Sequence, residues 1–296
     1  MTKGLYRLPG GRIAAGRLRD IPRLSIGAAW LLGPAAWVTF ARARRGNARA
    51  AEGAWAKQAT KLLGLRIEAV GLENVDPEER YVVAPLHEGF ADAIALLQLP
   101  LDMRFVARDE LLGWSVLGTA LRAGGHVTVE PERGVSAYRE LRRRAGDVLA
   151  SESLVVFPQG TILGIESAFT GGAFHLARVL DRPLLPVVIT GTHRIWAHPY
   201  SPVVRFGGFV RLQVLPAVSP GRAGAEMRDI ERRMKRLALA ATPKPRRYEP
   251  DRDGWWDGYR FEIDPDFPEL AARVDRHRRQ EAVADGSGRG ASEPSA

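Results

Sequence analysis

Two side chains able to do chemistry together stand in the stretch Leu86-His87-Glu88-Gly89-Phe90-Ala91-Asp92, directly after the apolar run Tyr81-Val82-Val83-Ala84-Pro85. An imidazole changes protonation near neutral pH, and a carboxylate on its Nδ1 fixes the tautomer and stabilises the imidazolium. His87 and Asp92 lie five positions apart. On one regular helix that spacing is a rotation of about 500°, which leaves the two side chains roughly 140° apart. They meet only if His87 sits on a strand-to-helix loop and Asp92 in the first helical turn, with Gly89 permitting the sharp turn between them. Nε2 is then left as a general base. The chain has no cysteine and no Gly-x-Ser-x-Gly elbow, so the group to be activated is a hydroxyl on a second substrate rather than a nucleophile of the protein. The alternative for this pair is a structural histidine capped by a nearby aspartate.

A second stretch, Val155-Val156-Phe157-Pro158-Gln159-Gly160-Thr161, has the marks of an anion-facing loop. Pro158 ends a strand and Gly160 allows unusual backbone angles. Backbone N–H groups from Gln159 to Thr161 and the Thr161 hydroxyl can then face a negative group. The alternative is an ordinary Pro-x-Gly-Thr turn. Other catalytic patterns are missing: no phosphate-loop motif, no dinucleotide glycine set after a strand, no His-Glu-x-x-His. His193 and His198 read as loop histidines, and no metal site is expected.

The elements that must hold these stretches follow from periodicity. Residues 50–63 read as an amphipathic helix ended by Gly64, and 65–70 alternates as a half-buried strand. Tyr81–Pro85 is continuously apolar, as in a sheet covered on both faces. Helix is predicted over 91–99, 111–121, 135–150, 172–180 and 223–241, and strand over 103–107, 126–129, 154–157, 184–189, 203–206 and 210–215. Pro186 inside its strand predicts an edge or a bulge. In the last helix Met227, Ile230, Met234 and Leu237 form the apolar stripe, while Arg228, Arg232, Arg233, Lys235 and Arg236 read as a solvated basic face. Strands alternating with helices predict a single α/β domain with a central mixed, largely parallel sheet flanked by helices. In such sheets sites gather at the carboxyl ends of strands, where both stretches fall.

The charge is unevenly placed. The net charge is +9, and residues 1–50 carry all of it, with ten Lys/Arg and one acid. A basic arm of this kind seeks a polyanion, a nucleic acid or an anionic membrane. The uncharged stretch 24–40, with Trp30 and Trp37, decides for the membrane. It is short for a span, Gly33-Pro34 interrupts it, and bases flank both ends. The reading is a re-entrant or interfacial helical anchor, with a buried core helix or a signal peptide as alternatives. The organisation expected is a membrane-associating segment over 1–49 and a domain over 50–241 with its motif core at about 81–193. A Pro- and aromatic-rich extension over 242–283 and a disordered tail over 284–296 complete it.

Four features in order resemble the glycerophospholipid acyltransferase family, which includes 1-acylglycerol-3-phosphate acyltransferases. His87-x4-Asp92 resembles that family's His-x4-Asp motif, and Phe157-Pro158-Gln159-Gly160-Thr161 its Phe-Pro-Glu-Gly-Thr-Arg motif. Leu63–Asn74 resembles the lead-in strand and Leu184–Ile189 the later Val-Pro-Val strand. The resemblance implies acyl transfer from a coenzyme A or acyl-carrier-protein thioester to a lysolipid hydroxyl. His87 is then the base and Asp92 its orienter, and Gln159, Gly160 and Thr161 hold the acceptor. No cofactor beyond the acyl carrier is implied. The setting it implies is the cytoplasmic face of the cell membrane, with the protein peripheral or monotopic. Where the family carries two arginines this chain has Ile162 and Pro131, which keeps a non-phosphorylated or glycolipid acceptor open beside the lysophospholipid. A lipid-binding relative without catalysis is the remaining alternative.

Overall fold

A computed structural model describes residues 48–240, apart from 90, 114, 161–167, 193–194 and 196–206. The predicted strand at 203–206, the apolar stretch at 24–40 and everything after 240 lie outside the described residues.

Seven strands form one sheet: β1 (Leu65–Val70), β2 (Val82–Pro85), β3 (Met103–Arg108), β4 (Val127–Val129), β5 (Ser153–Val155), β6 (Leu184–Thr190) and β7 (Gly208–Val214). Their spatial order is β1-β7-β6-β2-β5-β3-β4. All pairings are parallel except β6 with β7. The predicted mixed, largely parallel sheet is the one observed. β2 is central, and each of its residues is buried, as its unbroken apolar sequence requires.

Two layers of helix cover the sheet. One face packs Val83, Val155, Leu185, Val187, Val210 and Leu212 against α2 (Ala91–Leu96). The long α1 (Ala48–Leu63) lies against α2 and β1. The other face packs Val82, Leu154, Leu184 and Val188 against α4 (Val135–Leu149) and α5 (Gly172–Val179). The α3 helix, Ser115–Ala123, intervenes in sequence between β3 and β4. A short α6 (Pro220–Ala223) leads into α7 (Met227–Ala240), which joins α4 and α5 over the second face through Ile230, Met234 and Ala238. Alternate residues of each strand supply the two faces, as a period of two demands.

Several elements differ from their predicted form. The helix expected over 91–99 ends at Leu96, because Gln98 and Leu99 donate to carbonyls three residues back and Pro100 has no N–H to continue. The helix expected over 111–121 is a 3₁₀ turn, Asp109–Gly113, followed by α3. Gly118 lets the two meet, since a Cβ there would lie 2.2 Å from the Leu112 carbonyl oxygen. Pro186 stands inside an interior strand, and the bulge is on its partner. Leu184 to Val187 is three steps on β6, opposed by the four steps from Val214 to Val218. The missing proline N–H falls where that ladder lapses.

Two charged residues expected on the surface are drawn into the fold instead, Arg49 half-buried and Lys235 fully. Arg49, counted with the basic N-terminal segment, belongs to the folded domain. It pairs with Glu52 and Glu152 and donates to the Met103 and Gly124 carbonyls. Lys235, read as part of a solvated face, is completely buried and pairs with the equally buried Glu231 at 2.8 Å.

Candidate active site

The chain leaves β2 at Pro85 and stays in the ladder one residue longer, since Leu86 N–H donates to the Val187 carbonyl. Leu86 is fully buried and fixes the exit. His87, Glu88 and Gly89 then form the turn, and α2 opens with Asp92 in its first turn. This is the one arrangement in which His87 and Asp92 can meet, and they do. Nδ1 of His87 lies 2.6 Å from Oδ2 of Asp92. The same oxygen accepts the backbone N–H groups of Glu88 at 2.7 Å and Gly89 at 3.1 Å.

The protonation pattern follows from those partners. An oxygen already taking two N–H groups is an acceptor, so Nδ1 carries the proton and donates it. Asp92 is completely buried, in a medium where electrostatic interactions with the ring are strong. Nε2 is left without a hydrogen bond among the described residues, and the imidazole keeps 18% side-chain exposure. A capped structural histidine has no need of a second, open nitrogen, whereas a base does.

The second stretch lies beside the first because β5 is the parallel neighbour of β2. Both loops leave at the carboxyl ends of their strands. Phe157 stacks on His87 with ring centroids 3.8 Å apart and planes at 22°. That contact braces the face of the imidazole, while Asp92 holds its Nδ1 edge. Gly160 has φ 66°, and nothing crowds its Cβ position, so the backbone angle alone demands glycine. Its N–H donates to the Phe157 carbonyl at 3.2 Å, so this group closes the turn and is not offered to an anion as the sequence suggested. Gln159 is buried. Thr161 lies outside the described residues.

Sequence reasoning misses four members of this site. Phe157 enters it only as part of a motif, although an aromatic at the exit of a neighbouring strand is a usable signal. The Glu88 and Gly89 backbone donors carry no sequence signal beyond the turn itself. The base of the second loop is tied by Thr170, whose N–H and hydroxyl both reach the Pro158 carbonyl at 2.7 Å. No group of three or more metal-ligating side chains exists among the described residues.

The acyltransferase family matches residues 66–190, which contain both loops. Over these residues the chain resembles acyltransferases. The domain is 30% identical over 164 residues to mouse 1-acyl-sn-glycerol-3-phosphate acyltransferase alpha, covering 53% of this chain and 56% of that one. It is 25% identical to the lyso-ornithine lipid O-acyltransferase of Rhizobium meliloti, over 78% of this chain and 69% of that protein. In fold it resembles the crystal structure of the 1-acyl-sn-glycerophosphate acyltransferase PlsC from Thermotoga maritima. That TM-score is 0.61 at 20% identity, over 75% of this chain and 96% of that one. The chain spans about half the length of the glycerol-phosphate relatives it matches. The matched segment carries both the His87–Asp92 turn and the Phe157–Gly160 loop.

Proposed function

We propose that this protein is an O-acyltransferase moving a fatty acyl group from an acyl-CoA or acyl-carrier-protein thioester to the hydroxyl of a lysophospholipid such as 1-acylglycerol-3-phosphate. The reaction serves phospholipid biosynthesis or remodelling. The observation that carries it is the 2.6 Å contact of His87 with Asp92, in an acyltransferase domain, with Nε2 open.

The steps use one proton twice. The acceptor hydroxyl donates its proton to Nε2 as its oxygen attacks the thioester carbonyl carbon. The resulting imidazolium is stabilised by the buried Asp92 carboxylate. The tetrahedral intermediate collapses, the carbon–sulfur bond breaks, and Nε2 returns the proton to the departing thiolate. Ester and free thiol leave, and the histidine is again neutral. Gln159 to Thr161 border the acceptor.

A second reading of the acceptor is favoured by a specific observation. The lyso-ornithine lipid relative aligns with 78% of the chain and the mouse glycerol-phosphate relative with 53%. Ile162 and Pro131 stand where the family carries arginines, so this chain lacks two groups suited to gripping a phosphate. One experiment separates the readings: purified protein, one acyl-CoA, a panel of lysolipids with and without phosphate, and products read by mass spectrometry. His87→Ala should lower transfer by about 10³- to 10⁴-fold with folding intact. Near-normal transfer by that variant ends the base assignment.

We place the protein on the cytoplasmic face of the cell membrane, peripheral or monotopic, held by its basic N-terminal segment on anionic lipid. No helix among the described residues is long and apolar enough to cross a membrane. Deleting residues 1–46, which spares Arg49, should shift the protein out of the membrane fraction. Retention there refutes the anchor.

A further inference from the structure

The family match ends at residue 190, yet the most deeply buried ion pair described belongs to α7, forty residues beyond it. Glu231 Oε1 accepts Lys235 Nζ at 2.8 Å and, from another part of the chain, the backbone N–H of Phe169 at 2.7 Å. Arg228 donates to Oε2 at 2.7 Å. The ammonium lies 5.7 Å from the centre of the Phe169 ring. Phe169 is buried and adjoins Thr170, which grips the Pro158 carbonyl with two hydrogen bonds. Pro158 is flanked by Phe157, stacked on His87, and by Gln159. One continuous set of contacts thus runs from α7 to the edge of the reacting histidine.

Energetics make this pair informative. Two charges removed from water gain little net stability over an apolar pair of the same volume, while their hydrogen-bonding directions fix one arrangement. Here the direction they fix is that of a backbone N–H at the far end of the loop that starts at Pro158. A purely apolar contact between α7 and Phe169 would hold the ring without selecting the backbone orientation, because hydrophobic contact is non-directional.

We propose that Glu231, held by Lys235, is a positioning residue for the acceptor side of the site. By fixing Phe169 it sets, through Thr170 and Pro158, where the Gln159–Gly160 turn stands beside His87. Among the described residues the pair makes no hydrogen bond or ion pair with His87. Its effect falls on acceptor binding, and the thioester-side chemistry is spared. This rests on the reading of the loop as acceptor-binding.

The test uses the full-length protein and two independent readouts. Hydrogen exchange by mass spectrometry compares peptides covering 157–170 with peptides covering 82–89. Steady-state kinetics uses oleoyl-CoA with 1-acylglycerol-3-phosphate, and also oleoyl-CoA alone, where water is the acceptor. Lys235→Met is the mild variant, since Glu231 keeps Arg228 and Phe169 N–H. Glu231→Ala removes the hub. Glu231→Gln/Lys235→Met restores an uncharged acceptor for the Phe169 N–H.

In Glu231→Ala, exchange across 157–170 should rise about tenfold and the acceptor KM about tenfold, in keeping with a small displacement near a reacting group. The KM for oleoyl-CoA and the rate of its hydrolysis should stay within about twofold, and the Gln/Met double variant should recover most of both losses. If Glu231→Ala does not fold, Lys235→Met carries the same comparison with a smaller rise. Unchanged exchange at 157–170 overturns the proposal, as does an equal fall in all kinetic parameters without recovery. A wild-type protein that transfers to no lysolipid defeats the acyltransferase reading instead, and the exchange experiment still decides whether α7 holds the loop.

Discussion

The two loops that meet at His87 are built on opposite principles. The β2 loop is held from within: a single oxygen of Asp92 takes three donors, all from residues 87 to 89. The β5 loop is held from afar. Its start is tied to Thr170, twelve residues on, and its far end to Glu231, sixty-two residues beyond Phe169. His87 and the carboxylate that holds it are therefore encoded in one short segment. The loop beside them is tied to a helix outside the matched family segment. On the proposed function, such an arrangement lets the chemistry stay constant while the acceptor side is adjusted by distant substitutions.

The largest expected effect tests the local half. Asp92→Ala leaves two backbone N–H groups and Nδ1 without their partner, and transfer should fall by about 10³- to 10⁴-fold. Asp92→Asn should fall by a similar amount, about 10⁴-fold, because the amide supplies no charge to the imidazolium and its NH₂ can impose the wrong tautomer. A loss under about tenfold in Asp92→Asn, with far-UV circular dichroism intact, refutes the role of the carboxylate charge.

The remote half is tested by stability. Lys235→Ala leaves the Glu231 carboxylate buried beside a cavity and should cost about 3–5 kcal/mol, measured by urea unfolding. Lys235→Met leaves the same carboxylate without its ammonium and should recover only the cavity part of that loss. If Met restores the wild-type stability in full, the ion pair is not what holds α7. The smallest effect belongs to Gly160→Ala. The added methyl meets no neighbour, so the cost comes from φ 66° alone, about 1 kcal/mol. A loss of several kcal/mol there would mean that the turn is packed rather than merely bent.

The same contrast explains what the sequence could disclose. The pair His87/Asp92 was readable because its geometry is a local question: five positions, one strand exit, one helix start. The sheet was readable because burial of both faces leaves unbroken apolar runs such as Val82–Pro85. Lys235 was not. Its helix has the expected apolar spacing, but the buried stripe is Ile230, Glu231, Met234, Lys235 and Ala238, so an ion pair one turn apart sits inside it. Nothing near residue 235 announces that its partner serves a backbone N–H at 169. Arg49 was misplaced for a related reason, since its acceptors lie at 103, 124 and 152. Pro186 was read correctly as a disturbance, while only the pairing shows that the extra residue is on the other strand.

The position of β2 in the sheet has a consequence in time. A chain made from its amino end produces His87 and Asp92 before β5 and β6, the strands that flank β2. Their strand then has no neighbour until Ser153–Val155 is made, and is enclosed on both sides only after Leu184–Thr190. Parallel pairing of this kind must wait for the intervening crossover. His87 is thus synthesised before either strand that frames it, so an unfinished chain has the imidazole before its surroundings are in place.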